Sequence, residues 1–402
     1  MPETELEVEF DEQQEVFLPG SPISGRVLLN TETTYKARAV NIQFEGRAHT
    51  NWDDYESVSR VGTDGKTHRE QRRVNFSATV AYLEHEILLW KSPDGSNALE
   101  PGSYCWPFSF TIPTIVPPSF EGRYGYVRYS VKAQVDRPWR FDKAKKRCIT
   151  VSPLLDLNLL PHAMAPFRDQ ASENIGCCCF KKGYLELRVD VPKSGFVPGE
   201  VIPFNLHILN HGSVPVTEVK AKINQYCTFY GYRLGRTVTY TSGPLSGTMR
   251  NIRKDNKSVV KISQQLRVEP GKEQMMAIEL RLPSVTPTIN QYCPIITVEY
   301  VAEISLDTTS TFNSDVDCQV PILIGTVPIR QYLPPAYYPP NPFYPSSVPS
   351  VIPSAPPLSY EDSMYGTDGT ELQTDENEKP FVPKYPVFND LPVYNPTAPP
   401  KE

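Results

Sequence analysis

The sequence predicts an all-β fold in which two antiparallel β-sandwich domains are followed by a disordered C-terminal segment. Three observations support this prediction: apolar and polar residues alternate along many short segments, the two halves of the body repeat one pattern, and the composition changes near residue 330. No long segment combines helical periodicity with helix caps. The alternation therefore favours strands throughout the body.

Alternating segments occur at both ends of the body. Apolar residues alternate with glutamate in residues 5–10, and with charged or polar residues in residues 127–135 and 185–191. Because neighbouring side chains of a strand point to opposite faces, each segment has one buried face and one solvated face, as in an antiparallel sheet. Pro-Gly and Asp-Gly pairs between such segments predict tight turns.

The two halves of the body align with each other over three successive elements. A shift of 179 residues superimposes Leu6 on Leu185, Val8 on Leu187, Phe17 on Phe196, Pro19 on Pro198, Gly20 on Gly199 and Ile23 on Ile202. Any two alternating segments can be aligned so that apolar residues match apolar residues. Chance alternation would not, however, reproduce the repeated Phe-x-Pro-Gly. Two copies of one β-sandwich explain the repeat.

The distribution of charge limits the class of function. The net charge is −6, and residues 331–402 alone hold nine acids and three lysines. The body is therefore neutral and lacks the basic face that binds nucleic acid. Since the N-terminus is acidic and no apolar core follows it, we expect no secretory signal peptide. The longest apolar stretch, residues 322–329, is too short to span a bilayer.

The residues that could carry chemistry are not arranged as a catalytic or metal site. The eight cysteines lack the paired spacing of a disulfide framework or a zinc site, so we expect reduced thiols in the cytoplasm. The sequence contains no glycine-rich phosphate loop, nucleophile elbow or acid–base pair. We therefore expect a protein that is not an enzyme and has no cofactor or metal.

Several segments of the body carry motifs of a known protein family. VFLPGSPISGRVLL (residues 16–29) resembles the opening of the N-terminal domain of the arrestin domain-containing proteins, also called α-arrestins. LEPGSYCWPFSFTIP (residues 99–113) and PPSFEGRYGYVRYSVKAQVDRPW (residues 117–139) resemble its centre. GYLELRVDVPKSGFVPGEVI (residues 183–202) resembles the start of the C-terminal domain. The resemblance implies two arrestin-type, immunoglobulin-like sandwiches.

The resemblance also implies the domain organisation. We expect an N-terminal-like domain in residues 1–152, an inter-domain linker in 153–182, a C-terminal-like domain in 183–328 and a proline-rich tail in 329–402. Receptor-desensitising arrestins sense receptor phosphates with basic residues near the first strand. Residues 3–15 of this chain contain seven acidic residues and no Lys or Arg, so like charges would repel a phosphopeptide there.

The tail has the composition of a disordered segment and contains a PPxY motif. Residues 331–402 hold 17 of the 41 prolines and 8 of the 22 tyrosines, but no Trp or Cys, so the segment cannot build a core. The motif consists of Pro334, Pro335, Ala336 and Tyr337. The two prolines fit the aromatic groove of a WW domain, and Tyr337 fits the adjacent slot. Composition alone would give about 0.4 such matches.

The tail also contains two motifs of the form P-[ST]-A-P, the ligand of an ESCRT subunit with a ubiquitin-E2-like domain. The first consists of Pro353, Ser354, Ala355 and Pro356, and the second of Pro396, Thr397, Ala398 and Pro399. Alanine is rare in the tail, and all three alanines lie inside a ligand motif. Two chance matches have odds on the order of 10⁻⁴. The alternative interpretation is an inert, solubilising tail.

Two features of the body could contact a membrane. Cys177, Cys178 and Cys179 lie just before two lysines and could be S-acylated, although the sequence favours an unmodified linker. Residues 137–147 include five cations after Arg137, which could contact anionic lipid headgroups or form a solvated hairpin tip. These five residues are Arg140, Lys143, Lys145, Lys146 and Arg147.

The resemblance and the tail motifs together predict a trafficking adaptor in the cytoplasm, at the periphery of the plasma membrane and endosomes. The sandwiches would bind membrane protein cargo, and the tail would recruit WW-domain ubiquitin ligases of the HECT type and the ESCRT machinery. One alternative is a thioredoxin-binding metabolic or redox regulator of the same family, which needs a reactive thiol. The other is a passive cargo retriever like the arrestin-fold subunit of retromer, which would not need the tail motifs.

Overall fold

A computed structural model describes residues 4–11, 16–61, 67–93, 95–174, 183–233, 250–308, 316–330, 355–359, 381–388 and 391. Within these residues the chain forms two antiparallel β-sandwich domains, which confirms the predicted fold class. The described helices are one 3₁₀ turn (Leu157–Leu159) and the short helix α1 (Pro161–Met164). Neither is long and apolar enough to cross a membrane.

The described residues of the first domain form eleven strands in two main sheets. The strands are β1 (Glu5–Phe10), β2 (Val16–Phe17), β3 (Pro22–Thr31), β4 (Tyr35–Lys36), β5 (Ala39–Val61), β6 (Thr67–Lys91), β7 (Ala98–Leu99), β8 (Gly102–Thr111), β9 (Phe120–Gly122), β10 (Gly125–Asp136) and β11 (Lys143–Val151). One sheet has the order β1-β3-β8, and the other includes β6-β5-β10-β11-β2. The alternating residues predicted to face inward are buried between them.

The second domain repeats this arrangement, with nine strands in the part that the structure describes. The strands are β12 (Phe167–Asn174), β13 (Tyr184–Val191), β14 (Gly195–Phe196), β15 (Val201–Asn210), β16 (Val216–Arg233), β17 (Arg250–Val268), β18 (Lys272–Arg281), β19 (Ile296–Thr308) and β20 (Val316–Ile324). One sheet has the order β12-β13-β15-β18. The other has the order β14-β20-β19-β16, with β17 paired to β16.

The internal repeat seen in the sequence is a structural duplication. β1-β3-β8 of the first domain corresponds to β13-β15-β18 of the second, in the same order. β2 pairs in parallel with β11, and β14 pairs in parallel with β20. The Gly20 amide donates to the Ile112 carbonyl at 2.9 Å, and the Gly199 amide donates to the Leu282 carbonyl at 2.7 Å. Both Phe-x-Pro-Gly segments therefore form the same turn.

The two domains share a continuous sheet and a common core. β16 pairs with β6 through Tyr232 and Ser77, which joins the larger sheets of the two domains. The Phe229 ring of the second domain lies 6.3 Å from that of Phe120 and 5.8 Å from that of Tyr124, both of the first domain. Because these side chains pack directly on each other, apolar burial holds the domains together at this junction.

The structure differs from the sequence-based boundaries in residues 153–182, which we expected to form a linker. Part of this segment, β12, pairs with β13 along its whole length and belongs to the second domain. The sequence FRDQASEN is mostly polar because β12 lies at the edge of its sheet and is largely exposed. Its alternation is therefore too weak to predict a strand.

The tail also contributes two short strands to the described structure. β21 (Ala355–Ser359) pairs antiparallel with β22 (Lys384–Val387). Residues 381–388 and Leu391 pack on the two domains, which is an exception to the expectation of a disordered tail. The physical reason is that Tyr385, Val387 and Phe388 use a core provided by the body rather than one of their own.

Candidate functional site

Most of the predicted ligand motifs lie outside the described residues. This holds for Pro334, Pro335, Ala336 and Tyr337, for Pro353 and Ser354, for Pro396, Thr397, Ala398 and Pro399, and for Cys177, Cys178 and Cys179. Ala355 and Pro356 lie in β21, where the backbone is described. The structure therefore bears on one ligand motif and on the way in which the tail meets the body.

Tyr385 anchors the tail at the junction of the two domains. Its side chain is 1% exposed. The Tyr385 hydroxyl donates a hydrogen bond to the Ser119 carbonyl of the first domain at 2.9 Å. The Ser284 hydroxyl of the second domain donates to the Tyr385 carbonyl at 3.1 Å. Burial raises the pKa of Tyr385 far above its usual value, so the phenol stays protonated and remains a donor.

The residues on both sides of Tyr385 extend this contact along the junction. The Lys384 amide donates to the Thr150 hydroxyl of the first domain at 3.0 Å. The Phe388 amide donates to the Pro198 carbonyl of the second domain at 2.9 Å. Phe388 and Leu391 are buried in a small apolar cluster with Leu157, Ala163, Val197 and Ile329. Residues 384–388 and Leu391 thus form a strap across the junction, and we refer to them as the junction strap.

The turn beneath the strap is fixed by a buried ion pair. The Lys193 ammonium contacts the Glu200 carboxylate, and both side chains are almost completely buried. Glu200 also accepts a hydrogen bond from the Val197 amide at 3.2 Å, and Lys193 lies over the Phe196 ring at 4.6 Å. Burial raises the pKa of Glu200, and the charge of Lys193 opposes this shift. Each charge offsets the cost of burying the other. Removing one partner would therefore leave an unpaired charge in the core.

The strap pairs with the backbone of a segment that includes part of the first P-[ST]-A-P motif. Ala355 of β21 pairs with Val387 of β22, and Leu358 pairs with Tyr385. The backbone of Ala355 is therefore engaged with the same segment that anchors the tail. While it is paired in this way, it cannot also lie extended in the groove of a partner.

The basic run predicted from the sequence lies on β11 and on the hairpin that connects β10 to β11. Arg140, Lys145 and Arg147 are exposed, whereas Lys143 and Lys146 are half-buried. Lys143 donates to the Thr4 carbonyl, and Arg147 donates to the Val8 carbonyl at 2.8 Å. These two cations thus attach the edge of β1 to β11. The hairpin between the strands carries the exposed aromatic residues Trp139 and Phe141.

The thiols of the described residues differ in accessibility. Cys105 is exposed and Cys148 is half-buried, whereas Cys227, Cys293 and Cys318 are buried. Burial raises the pKa of Cys227 and of Cys318 to about 12, and it raises that of Cys293 as well. The buried thiols are therefore poor nucleophiles at neutral pH. Among the described residues, no group of three or more His, Cys, Asp or Glu side chains could hold a metal ion.

Two sets of residues were missed in the analysis of the sequence. The first is the strap, whose signal is the alternation of Tyr385, Val387 and Leu391 with less apolar residues in an otherwise proline-rich segment. The second is the pair Trp139 and Phe141, which interrupts the basic run. In both cases aromatic residues occur in a segment whose other residues are mainly prolines (the strap) or charged residues (the basic run).

Comparison with known proteins agrees with the fold. The model of the arrestin (or S-antigen) N-terminal domain matches residues 6–158, and that of the C-terminal domain matches residues 181–329. Arrestin domain-containing protein 17 of Caenorhabditis elegans is 27% identical over 335 residues, which cover 80% of this chain and 70% of that protein. Arrestin domain-containing protein 4 of Mus musculus is 28% identical over 321 residues (79% and 70%). Arrestin domain-containing protein 1 of Rattus norvegicus is 24% identical over 362 residues (89% and 72%). This chain therefore belongs to the α-arrestin, or arrestin domain-containing, family.

Proposed function

We propose that this protein is a non-enzymatic trafficking adaptor that links membrane protein cargo to WW-domain ubiquitin ligases of the HECT type and to the ESCRT machinery. By linking these partners, the protein would promote ubiquitination, endocytosis and sorting of the cargo. Family membership supports the general role of an adaptor. The observation that carries the specific proposal is the presence of one PPxY and two P-[ST]-A-P motifs in the tail of an arrestin-type body.

The proposed ligase contact uses Pro334, Pro335 and Tyr337. A polyproline II segment loses little conformational entropy when it binds, so a short motif suffices for a weak, specific contact. Tyr337 provides the side chain that fills a slot on the WW domain. Its replacement by alanine should therefore remove most of the binding energy of the motif.

The proposed ESCRT contact uses both P-[ST]-A-P motifs (residues 353–356 and 396–399), which we call the late-domain motifs. Ala355 and Ala398 are separated by 43 positions in the sequence. Two weak ligands on one chain raise the apparent affinity for a partner without any new contact, because the second binding event is intramolecular. Each motif alone should therefore support part of the recruitment. The pairing of Ala355 with Val387 would restrict the backbone of the first motif.

The buried thiols of the body do not favour the redox alternative. A thioredoxin-binding regulator would need an activated thiol, whereas burial raises the pKa values of Cys227, Cys293 and Cys318. The other alternative, a passive cargo retriever, would give the tail motifs no function.

We propose that the protein is cytoplasmic and lies at the periphery of the plasma membrane and endosomes. S-acylation of Cys177, Cys178 and Cys179 would add membrane affinity, and changing all three to Ser tests this by cell fractionation.

The experiment that tests the proposed function is co-precipitation of both partners with the full chain from cells. Tyr337→Ala should abolish most ligase binding, and the neighbouring Tyr338→Ala serves as the matched control because it lies outside the motif. Bulky replacements of Ala355 or Ala398 should each weaken ESCRT recruitment partly, and both together should remove it.

The two sets of variants control for each other. The double alanine variant should retain the ligase, and Tyr337→Ala should retain the ESCRT subunit, since the motifs are separate segments. Full ESCRT recruitment by the double variant would falsify the late-domain assignment. Ligase binding by Tyr337→Ala at the wild-type level would show that another segment makes that contact.

A further inference from the structure

The hairpin between β10 and β11 presents two aromatic side chains to solvent. Trp139 is 102% exposed and Phe141 is 97% exposed. The other three tryptophans of the chain, Trp52, Trp90 and Trp106, are buried or half-buried. A folded protein seldom leaves adjacent aromatic side chains fully in water, because burying them against apolar surface is favourable. The tip therefore has the properties of a binding element.

Hydrogen bonds and an ion pair hold the backbone of the tip in a turn. Asp142 accepts hydrogen bonds from the Arg137 amide at 2.9 Å and from the Gln134 side chain at 2.7 Å. An ion pair of 2.5 Å between Arg38 and Asp136 fixes the base of the hairpin. Trp139 has a φ of 60°, a left-handed conformation that is unfavourable for a bulky residue. Such strain persists only where the surroundings impose it, and it frequently marks functional positions.

The cations near the tip outnumber the acids that are available to them. Arg140 and Lys145 are exposed. Arg137 lies over the Tyr35 ring at 4.4 Å, and its Nε atom is buried without a hydrogen-bond partner among the described residues. The nearby acids Asp136 and Asp142 are already engaged by Arg38 and by the hairpin itself. The tip is therefore both aromatic and cationic.

We propose that residues 136–143 form an interfacial anchor that binds bilayers containing anionic lipids. Trp139 and Phe141 would enter the region between headgroups and acyl chains, where amphipathic aromatic side chains are favoured. Arg137 and Arg140 would pair with lipid phosphates, to which a guanidinium binds in two-point geometry. A bilayer fits better than a protein groove because Trp139 and Phe141 are both almost fully exposed, whereas a protein partner would have to supply a separate pocket for each ring.

The position of the hairpin is compatible with the other contacts of the chain. β10 begins at Gly125, which pairs with Thr50 near the domain junction, and ends at Asp136 beside Ala39. At ~3.3 Å per residue, the base of the hairpin at Asp136 lies about 36 Å from the junction end of β10. An anchored tip would thus leave the junction strap and the tail accessible to partners. The inference deepens the proposed function and rests on its peripheral membrane association.

The test is binding of the purified full chain, made in bacteria and therefore not S-acylated, to vesicles of phosphatidylcholine with or without 30% phosphatidylserine. We expect co-sedimentation with the anionic vesicles and a blue shift of tryptophan fluorescence on binding. The variant Trp139→Ala/Phe141→Ala should bind at least about tenfold more weakly because the apolar contact is lost. The variant Arg137→Gln/Arg140→Gln should lose about fivefold for each arginine.

Leu159→Ala and Met275→Ala are matched controls, because both side chains are largely exposed but lie outside the hairpin. They should bind like the wild type, and all variants should keep the wild-type melting temperature. A wild-type chain that binds no anionic vesicle would overturn the proposal, and so would an aromatic double variant that binds as well as the wild type. Neither result depends on ligase or ESCRT binding, so failure here is distinguishable from failure of the adaptor proposal.

Discussion

The two copies of the Phe-x-Pro-Gly turn have the same backbone but different surroundings. Gly20 has a φ of 80° and Gly199 a φ of 91°, and both amides donate to the equivalent strand of their own domain. Pro19 and Gly20 are partly or fully exposed, whereas Pro198 and Gly199 are buried. A Cβ atom on Gly199 would lie 2.4 Å from the Phe388 carbonyl oxygen, so the strap covers this copy at close range.

The residue after each glycine explains part of this difference. Ser21 in the first domain donates to the Leu18 carbonyl at 2.6 Å and remains partly exposed. Glu200 at the same position of the second domain is buried and paired with Lys193. The duplication therefore supplied two equivalent turns, and substitution at one of them produced a rigid, buried platform for the tail. A repeated backbone motif thus does not imply a repeated role.

Removing the buried cation Lys193 should change the stability of the fold more than any other substitution at either turn. Lys193→Met leaves the Glu200 carboxylate buried without its partner, which should destabilise the fold by about 3–5 kcal/mol. Ser21→Ala at the equivalent turn should cost less than about 1 kcal/mol, since only one partly exposed hydrogen bond is lost. Chemical unfolding followed by fluorescence measures both. A double variant, Lys193→Met/Glu200→Leu, should recover most of the loss, and a small effect of Lys193→Met alone would contradict the platform.

Removing the anchor of the strap should have the next largest effect. Tyr385→Ala deletes a buried aromatic side chain and its hydrogen bond to the Ser119 carbonyl. We expect a loss of about 2–3 kcal/mol, less than for a core phenylalanine because the strap can leave the junction instead of leaving a cavity. Tyr385→Phe should lose only ~1 kcal/mol. Thermal unfolding measures both variants, and equal melting temperatures for Tyr385→Ala and the wild type would show that the strap contributes no stability.

Release of the strap should also make the first late-domain motif available, if the ESCRT assignment is correct. In a chain in which Ala398→Leu disables the second motif, Tyr385→Ala should raise the affinity for the ESCRT subunit about fivefold. The reason is that binding then no longer has to disrupt the β21–β22 pair. Calorimetric titration with the purified subunit measures this change. An unchanged affinity would mean that β21 and ligand binding do not compete.

The thiols offer a smaller contrast between the two domains. Cys105 of the first domain is exposed, whereas burial raises the pKa of Cys227 and of Cys318 in the second to about 12. The reactive thiolate of these two groups forms only as pH approaches that value, so iodoacetamide should label Cys105 but neither Cys227 nor Cys318 between pH 7 and about pH 9. Peptide mass spectrometry reads the labelled sites. Fast labelling of Cys227 at neutral pH would contradict the buried environment and favour the redox alternative.

The sequence predicted the sheets because their signal is local. Alternation in residues 127–135 and 185–191 predicts strands, and the repeated Phe-x-Pro-Gly predicts the duplication. The expectation of one solvated face is wrong at Arg128, Ser130 and Glu186, which are buried. The strap could not be predicted in this way. Tyr385 is buried only because Ser119 and Ser284, distant in the sequence, meet at the domain junction. Trp139 is the reverse of Tyr385: its apolar side chain predicts burial, but it is exposed because it lies at the tip of the hairpin.

The contrast between the two turns is tested most directly by hydrogen exchange of the full chain and of a chain that ends at residue 380. Removal of the strap should speed amide exchange in a peptide covering residues 196–200 by roughly tenfold, because solvent reaches a turn that Phe388 covers. Exchange at Gly20 and Ser21 of the first turn should not change, since the side chain that lies against Gly20 is that of Thr114 and not part of the strap. Equal exchange of residues 196–200 in both chains, or a similar increase at both turns, would contradict the assignment of the second turn as the docking site of the tail.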